Sequence, residues 1–178
     1  MYLTSEEKNY YTFAIKYLDI SAEAINVGMY YHAIVNTQKS EEFFKKIPGK
    51  IGILGVADAK GNRAIVYMEL GKYEEAEKLF KESMNLYFSN HFLVRKEIIG
   101  AGIISRNYAR LLRRKQNFKE SLKKVRLSLR CYRVYGKEKY IIDSLIFIAN
   151  LYLDLGRINR AKTIHSLCRK RKYKKSIF

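Results

Sequence analysis

The chain has few of the residues that cross-link or interrupt a fold. Its 178 residues include one proline, two cysteines and no tryptophan. Cys131 and Cys168 lie far apart, without a second pair of cysteines, so neither a disulfide framework nor a zinc site is predicted. With a single proline and 48% hydrophobic residues, the chain is long enough to bury a core of ordinary size, which argues against extensive disorder.

Membrane and export signals are also missing. No apolar run approaches the roughly 18 residues that a membrane-spanning helix needs. The first residues carry Glu6, Glu7 and Lys8 in place of the basic start and apolar centre of a signal peptide. We therefore expect a soluble, cytoplasmic protein without transmembrane insertion.

Motifs that carry catalytic chemistry are absent as well. Gly100-Ala101-Gly102 is not followed by the Lys-Ser or Lys-Thr of a phosphate loop. No nucleophile and base occur at a workable spacing, and His32, His91 and His165 lie in different helix pairs of the chain, so they do not form a ligand cluster. The sequence predicts a protein that is not an enzyme and that holds no metal and no cofactor.

Charge is plentiful, but it lies in one half of the chain. The net charge is +18; residues 1–100 carry 13 basic and 13 acidic side chains, whereas residues 101–178 carry 22 basic and 4 acidic ones. A field of one sign concentrated in this way favours an anionic partner. An acidic protein surface, a nucleic acid and an anionic lipid all satisfy that requirement.

Turn signals recur at nearly even spacing. Gly28, Gly71, Gln116-Asn117 and Gly156 are separated by 43, 45 and 40 residues, a period typical of helical repeats. Weaker breaks at Pro48-Gly49, Ser89-Asn90 and Gly136 divide each period in two. The pattern predicts eight helices with these limits: 4–26, 30–46, 51–70, 73–88, 92–115, 118–135, 138–155 and 158–172.

Residues 64–80, from Ala64 through Gly71-Lys72-Tyr73 to Phe80, resemble the tetratricopeptide repeat in their small residues, Gly-x-Tyr turn and terminal Phe. The same frame gives a small residue in the first helix of each pair (Ser21, Ala64, Ala109, Ala149). It gives others early in each second helix (Ala33, Ala76, Ser121, Ala161) and later in it (Ser40, Ser83, Ser128, Cys168). The period exceeds that of the standard repeat, as in the kinesin light chain type and the peptide-sensing bacterial regulators.

The resemblance implies an all-α fold, a right-handed α-solenoid of about four antiparallel helix pairs. We expect a single domain over 1–178, with pairs at approximately 4–46, 51–88, 92–135 and 138–172 and a basic tail at 169–178. Such repeats are docking surfaces, so the resemblance also implies a binding scaffold.

In this family the first helix of each pair lines a concave groove. The groove positions of the third pair are then four arginines that could bind carboxylate or phosphate: Arg106, Arg110, Arg113 and Arg114. Asn150 falls at a groove position of the fourth pair, and Asn62 and Asn107 fall where family members often hold a peptide backbone. Two further explanations of the arginines stay open, namely a solvated helix face and pairing with Asp143 or Asp154 in the fourth pair.

Two more basic groups lie outside the groove. One follows the outer face of the helix over 118–135, and the other opens the tail; together they comprise Lys119, Lys123, Arg126, Arg130, Arg169, Lys170, Arg171 and Lys172. Such rows can track phosphates, or they can keep the open end of a solenoid in solution.

These observations favour a non-enzymatic scaffold or regulatory module that binds an acidic protein or peptide in a basic groove. An RNA- or DNA-binding helical repeat is the first alternative, since nucleic acid would engage both basic rows and the tail. A peptide-sensing regulator is the second. An oligomer is compatible with either.

Overall fold

The structure is a computed structural model that describes residues 3–89 and 98–174, with side chains through Arg169. The described residues form eight helices: α1 (Ser5–Asn26), α2 (Tyr30–Lys45), α3 (Gly49–Glu69), α4 (Tyr73–Phe88), α5 (Ile98–Arg114), α6 (Phe118–Tyr135), α7 (Glu138–Asp154) and α8 (Ile158–Lys174). The predicted helix pairs are confirmed. Two limits move by two residues, since α3 starts at Gly49, not at 51, and α8 ends at Lys174, not at 172. Five others move by one residue: the start of α1 and the ends of α2, α3, α5 and α7. The predicted start of α5 at 92 lies outside the described residues.

The turns inside the four pairs share one backbone feature. Gly28, Gly71 and Gly156 have φ of +78°, +76° and +70°, and Gln116 occupies the same place in the third pair with φ +58°. Only glycine adopts this left-handed region without steric cost. The repeat of the turn is therefore a repeat of backbone conformation, which Gln116 follows despite its side chain.

The chain divides into two compact units, unit 1 (residues 1–93) and unit 2 (residues 94–178). Unit 1 contains α1 to α4, and each of these helices packs against its neighbours in sequence. Unit 2 contains α5 to α8, packed in the same way around one apolar cluster. Each unit thus contains two of the predicted pairs.

Small buried residues mark the helix crossings, as predicted. Ala64, Ala109, Ala33 and Ala76 are all 0% exposed, and the other positions of the frame are 5% exposed or less. A small side chain at a crossing lets two helix axes approach closely. Every small position that the repeat frame assigned is therefore a packing position.

Serines at these crossings also join the two helices of a pair. The Ser40 hydroxyl donates to the Ala14 carbonyl at 2.9 Å, and Ser83 donates to the Ala57 carbonyl at 2.7 Å. Buried hydroxyls need such partners, because an unpaired one is costly. In each case the acceptor is a backbone carbonyl of the preceding helix.

Close approach between pairs depends on glycine in unit 1. A Cβ built on Gly55 of α3 would lie 2.1 Å from Cδ1 of Phe44, a side chain of α2 that is 1% exposed. The ring fills the space that a larger residue at 55 would occupy. Gly55 therefore sets how closely α2 packs on α3.

Candidate functional site

The candidate site is the face of α5 that meets side chains of α7 in unit 2. The other faces of α5 are buried through residues such as Ile104, Tyr108, Ala109 and Leu112, which leaves the arginines on the remaining side. The fourth pair contributes Asp143, Phe147, Asn150 and Asp154 at spacings of four, three and four on α7. We call this face, formed by the arginines of α5 and these four residues of α7, the arginine groove.

Arg113 and Asp154 form the tightest contact in the groove. Nε of Arg113 donates to Oδ2 of Asp154 at 2.6 Å, and Nη2 donates to Oδ1 at 3.1 Å. The hydrogen bond to Asp154 raises the pKa of Arg113. The guanidinium carbon also lies 5.8 Å from the ring centroid of Phe147. A bidentate pair over an aromatic ring holds the guanidinium in one orientation.

Arg106 of α5 has a looser partner in α7. Its Nη1 lies 3.8 Å from Oδ2 of Asp143, and the two side chains are 28% and 44% exposed. This distance is at the limit for an ion pair and exceeds that of a hydrogen bond. The contact is therefore weak and open to exchange with an external carboxylate.

The remaining groove residues divide between exposed and buried positions. Arg110 is exposed, and its Nη1 donates to Oδ1 of Asn107 at 3.1 Å. Asn107 itself is 6% exposed, with its amide nitrogen on the Ile103 carbonyl at 3.1 Å. Asn150 is half-buried and Arg114 is exposed. Asn107 therefore orients Arg110 more than it offers its own amide to a ligand.

Asn62, the other predicted backbone-binding amide, lies in unit 1. Its Nδ2 donates to Oγ of Ser21 at 3.3 Å, which joins α3 to α1. Asn62 is half-buried, and the serine that it contacts lies at a helix crossing of unit 1. The contacts that the structure shows between α5 and α7 join Arg106 to Asp143, and Arg113 to Asp154 and Phe147.

All four members of the predicted outer row on α6 are exposed: Lys119, Lys123, Arg126 and Arg130. Two of its members already have partners. Nζ of Lys123 lies 2.5 Å from Oε1 of Glu120, and Nη2 of Arg126 donates to the Tyr152 hydroxyl at 2.8 Å. In the tail, Arg169 is exposed, whereas the side chains of Lys170, Arg171 and Lys172 lie outside the described residues.

Sequence reasoning did not find Phe147, the aromatic side chain of the groove. The signal was available, because residue 147 is four positions after Asp143 and three before Asn150, so it shares their helix face. Its apolar character suggested a core position. The structure shows both roles, since Phe147 is only partly buried where it packs against the apolar cluster of unit 2.

Two searches among the described residues gave no site of another kind. No helix in residues 3–89 or 98–174 combines the length and the apolar composition needed to cross a membrane. No group of three or more His, Cys, Asp or Glu side chains in the same described ranges is arranged to hold a metal ion.

Comparisons with known proteins agree with the repeat frame. The family described as tetratricopeptide repeat matches residues 57–90, which span most of α3 and all of α4. The chain thus contains a tetratricopeptide repeat at the stretch that the sequence singled out. No curated protein sequence matches the chain.

Solved structures share the fold at low sequence identity. The apo form of RapI superposes with a TM-score of 0.77 at 12% identity over 93% of this chain and 57% of RapI. BtubC (BKLC) from P. vanneervenii gives 0.74 at 12% identity over 93% of this chain and 65% of BtubC. The chain therefore spans less than two thirds of either protein. Both neighbours are tetratricopeptide-like helical repeat proteins, so the predicted fold class is confirmed.

Proposed function

We propose that the protein is a non-catalytic, cytoplasmic interaction scaffold whose arginine groove binds an acidic segment of a partner protein. A tetratricopeptide-type fold supports the coarser part of this proposal, since such repeats act as protein-interaction or regulatory scaffolds. The observation that carries the finer part is the set of three guanidinium groups on one face of α5. Arg106, Arg110 and Arg113 are held there by Asp143, Asn107 and Asp154.

The geometry favours carboxylate ligands. A guanidinium fork matches a carboxylate in two parallel hydrogen bonds, and the Arg113–Asp154 pair already has that form inside the chain. The weak Arg106–Asp143 contact and the exposed Arg110 provide forks for an incoming carboxylate next to it. Phe147 supplies an apolar surface for a side chain between two acidic residues.

Nucleic acid is the second candidate, and it is favoured by a different observation. The excess of basic residues extends beyond the groove to Lys119 and Arg130 on α6 and to Arg169 on α8, all exposed. A polyanion would contact many of these side chains at once. Peptide binding concentrates its free energy on a few directed contacts.

Two double variants with the same change in charge separate these functions. A fluorescein-labelled peptide of alternating Glu and Leu is titrated by anisotropy against the parent protein, Arg106→Gln/Arg110→Gln and Lys119→Gln/Arg130→Gln. We expect the groove variant to lose at least about tenfold in affinity, or about 1.4 kcal/mol, and the outer variant to lose little. Parent-like affinity of the groove variant would overturn the proposal.

A single-stranded RNA oligonucleotide is titrated in parallel at several salt concentrations. If nucleic acid is the ligand, both variants and deletion of residues 169–178 weaken its binding by comparable amounts. Each lost phosphate contact also reduces the salt dependence by about 0.7 to 0.9 in slope. RNA binding tighter than peptide binding, with this uniform pattern, would replace the acidic-peptide function by the nucleic-acid one.

A further inference from the structure

A cluster of aromatic rings lies on one side of α1 and α2 in unit 1. The ring centroid of Phe43 is 5.4 Å from that of Phe13 and 5.8 Å from that of Tyr17, with the two planes only 9° apart in the second pair. Tyr10 lies 6.2 Å from Phe43. Phe13 is 47% exposed, and Ile20, one turn beyond Tyr17, is 37% exposed. We call these five side chains the aromatic patch.

Two lysines border the patch, Lys39 of α2 and Lys46 directly after the end of α2. Nζ of Lys46 lies 5.0 Å from the ring centroid of Tyr10 and 5.3 Å from that of Phe43, and Nζ of Lys39 lies 5.3 Å from that of Tyr17. Within the described part of the chain, neither ammonium has a carboxylate at ion-pair distance. The two residues lie on one face of α2, about 10 Å apart along its axis.

The second helix pair shows which side chains pack at the position equivalent to the aromatic patch. A shift of 43 residues relates Gly28 to Gly71 and Ala33 to Ala76, so it relates Tyr17 and Lys39 of the first pair to Lys60 and Glu82 of the second. Lys60 and Glu82 form an ion pair at 2.6 Å. The cation–π contact of Lys39 with Tyr17 thus stands where the second pair has a salt bridge.

In the second pair, α2 covers the equivalent side of the first helix, α3. α2 packs on α3 and places Oε2 of Glu41 at 2.5 Å from Nη2 of Arg63 and Oε1 at 3.6 Å from Nζ of Lys60. By the same shift, Ile20 corresponds to Arg63. No helix of residues 3–89 occupies the equivalent place on α1, and Phe13 and Ile20 are exposed there.

We propose that the aromatic patch is a docking surface for an acidic amphipathic helix of a partner protein, which packs on α1 as α2 packs on α3. Its apolar side chains cover Phe13 and Ile20, and its carboxylates reach Lys39 and Lys46. Both lysines then exchange a cation–π contact for an ion pair, as charge complementarity predicts. This site lies in unit 1 and does not depend on the arginine groove.

The surroundings favour a protein over a nucleic acid. Residues 1–93 carry 11 basic and 12 acidic side chains, so unit 1 has no net attraction for phosphates. The faces of Tyr10, Tyr17 and Phe43 are already covered by one another or by lysine, which leaves little room for stacked bases.

The chain contains no tryptophan, so Phe13→Trp creates a single fluorescent reporter inside the patch. The probe is a designed amphipathic helical peptide with leucines on one face and glutamates beside them. We expect a saturable blue shift of the emission as the leucines cover residue 13. Tyr31→Trp, at a side chain of unit 1 that is 77% exposed and outside the patch, is the control and should not respond. Unchanged emission of the Phe13→Trp protein would overturn the proposal.

Charge reversal provides the second arm of the test. In the Phe13→Trp background, Lys39→Glu/Lys46→Glu should lower the affinity for the peptide at least about tenfold, while Lys78→Glu/Lys81→Glu on α4 should leave it unchanged. A peptide with lysines in place of the glutamates should bind the reversed protein and not the parent. Parent-like affinity after reversal contradicts the proposal. So does a blue shift produced by RNA alone, or by raising the protein concentration without peptide, which would indicate self-association.

Discussion

Arg113 of α5 and Asp154 of α7 are joined by two hydrogen bonds of 2.6 and 3.1 Å, whereas Arg106 and Asp143 approach only to 3.8 Å between the same two helices. The difference separates two roles within one groove. The tight pair links α5 to α7 near the C-terminal end of both helices. The loose pair leaves a guanidinium whose internal carboxylate can be displaced by a ligand.

Replacing Asp143 should therefore strengthen binding of an acidic ligand. We expect Asp143→Asn to raise the affinity for the Glu-Leu peptide a few-fold, because the internal competitor of Arg106 is removed while the side-chain shape is kept. Glu138→Gln changes the net charge equally at the start of α7 and should have a smaller effect. Anisotropy titrations measure both. An affinity of Asp143→Asn at or below that of the parent would show that Arg106 does not bind the ligand.

Overpacking at the helix crossings should destabilise the fold. Ala76 and Ala109 are 0% exposed, and the Ala109 carbonyl accepts a hydrogen bond from the Ser121 hydroxyl at 2.7 Å. We expect Ala76→Leu and Ala109→Leu to cost about 1 to 3 kcal/mol each, because neither crossing has space for a larger side chain. Thermal unfolding followed by circular dichroism tests this. Unchanged midpoints for both variants would mean that these positions are not crossings.

Glycine at the left-handed position in the turn of the third pair should increase the stability of the protein. Gln116 has φ +58°, whereas the equivalent residues of the other pairs are Gly28, Gly71 and Gly156. We expect Gln116→Gly to stabilise the protein by about 0.5 to 1 kcal/mol, since the steric cost of a side chain in this region is removed. The reverse change, Gly71→Gln, should destabilise by about 1 kcal/mol. No atom lies within 4 Å of a Cβ added at residue 71, so the loss of stability in the Gly71→Gln variant reports the cost of the backbone conformation alone.

A buried carboxyl in unit 1 should make stability depend on pH. Burial raises the pKa of Asp58 from 3.8 to about 6, although the Tyr87 hydroxyl donates a hydrogen bond to it. Because the folded-state pKa is above the unfolded one, its contribution to stability is fully present below pH 3.8 and is lost as pH rises through 6. We expect this contribution to be on the order of 3 kcal/mol.

Asp58→Asn should remove this dependence. Denaturant unfolding of the parent and of the variant between pH 4.5 and 6.5 gives the difference between their free energies of unfolding. The effects of all other titrating groups cancel in that difference. The pKa of Glu41 is lowered in the folded protein, so the contribution of Glu41 to stability is lost only as the pH falls below the usual pKa of a glutamate. That loss lies outside this window. Parallel pH profiles for the two proteins would show that Asp58 titrates normally.

The sequence predicted the helix pairs well because each level of information agreed. Turn residues such as Gly71 and Gly156, apolar spacing and the small residues at Ala76 and Ala109 all indicated the same limits. The site was predicted less completely. Spacing placed the arginines on one face of α5, but pairing of Arg113 with Asp154 depends on how α5 and α7 pack, which no local pattern encodes.

Other features could not be predicted for a similar reason. The Glu41–Arg63 pair joins residues 22 positions apart in two helices, and the Asp58–Tyr87 contact joins residues 29 apart. The charge and polarity of each residue alone suggested a solvated surface. The packing of α2 on α3 brings Glu41 to Arg63, and the packing of α3 on α4 brings Asp58 to Tyr87.

The central claim is that an acidic segment binds in the arginine groove, and a reporter inside the groove tests it most directly. Phe147→Trp introduces the only tryptophan of the chain beside the Arg113 guanidinium, which lies 5.8 Å from the native ring. Titration with the Glu-Leu peptide should shift the emission to the blue in a saturable way, and Arg110→Gln in the same background should weaken that response. A peptide that binds by anisotropy while the emission of Trp at 147 stays unchanged would contradict the account, because the acidic segment would then be bound elsewhere.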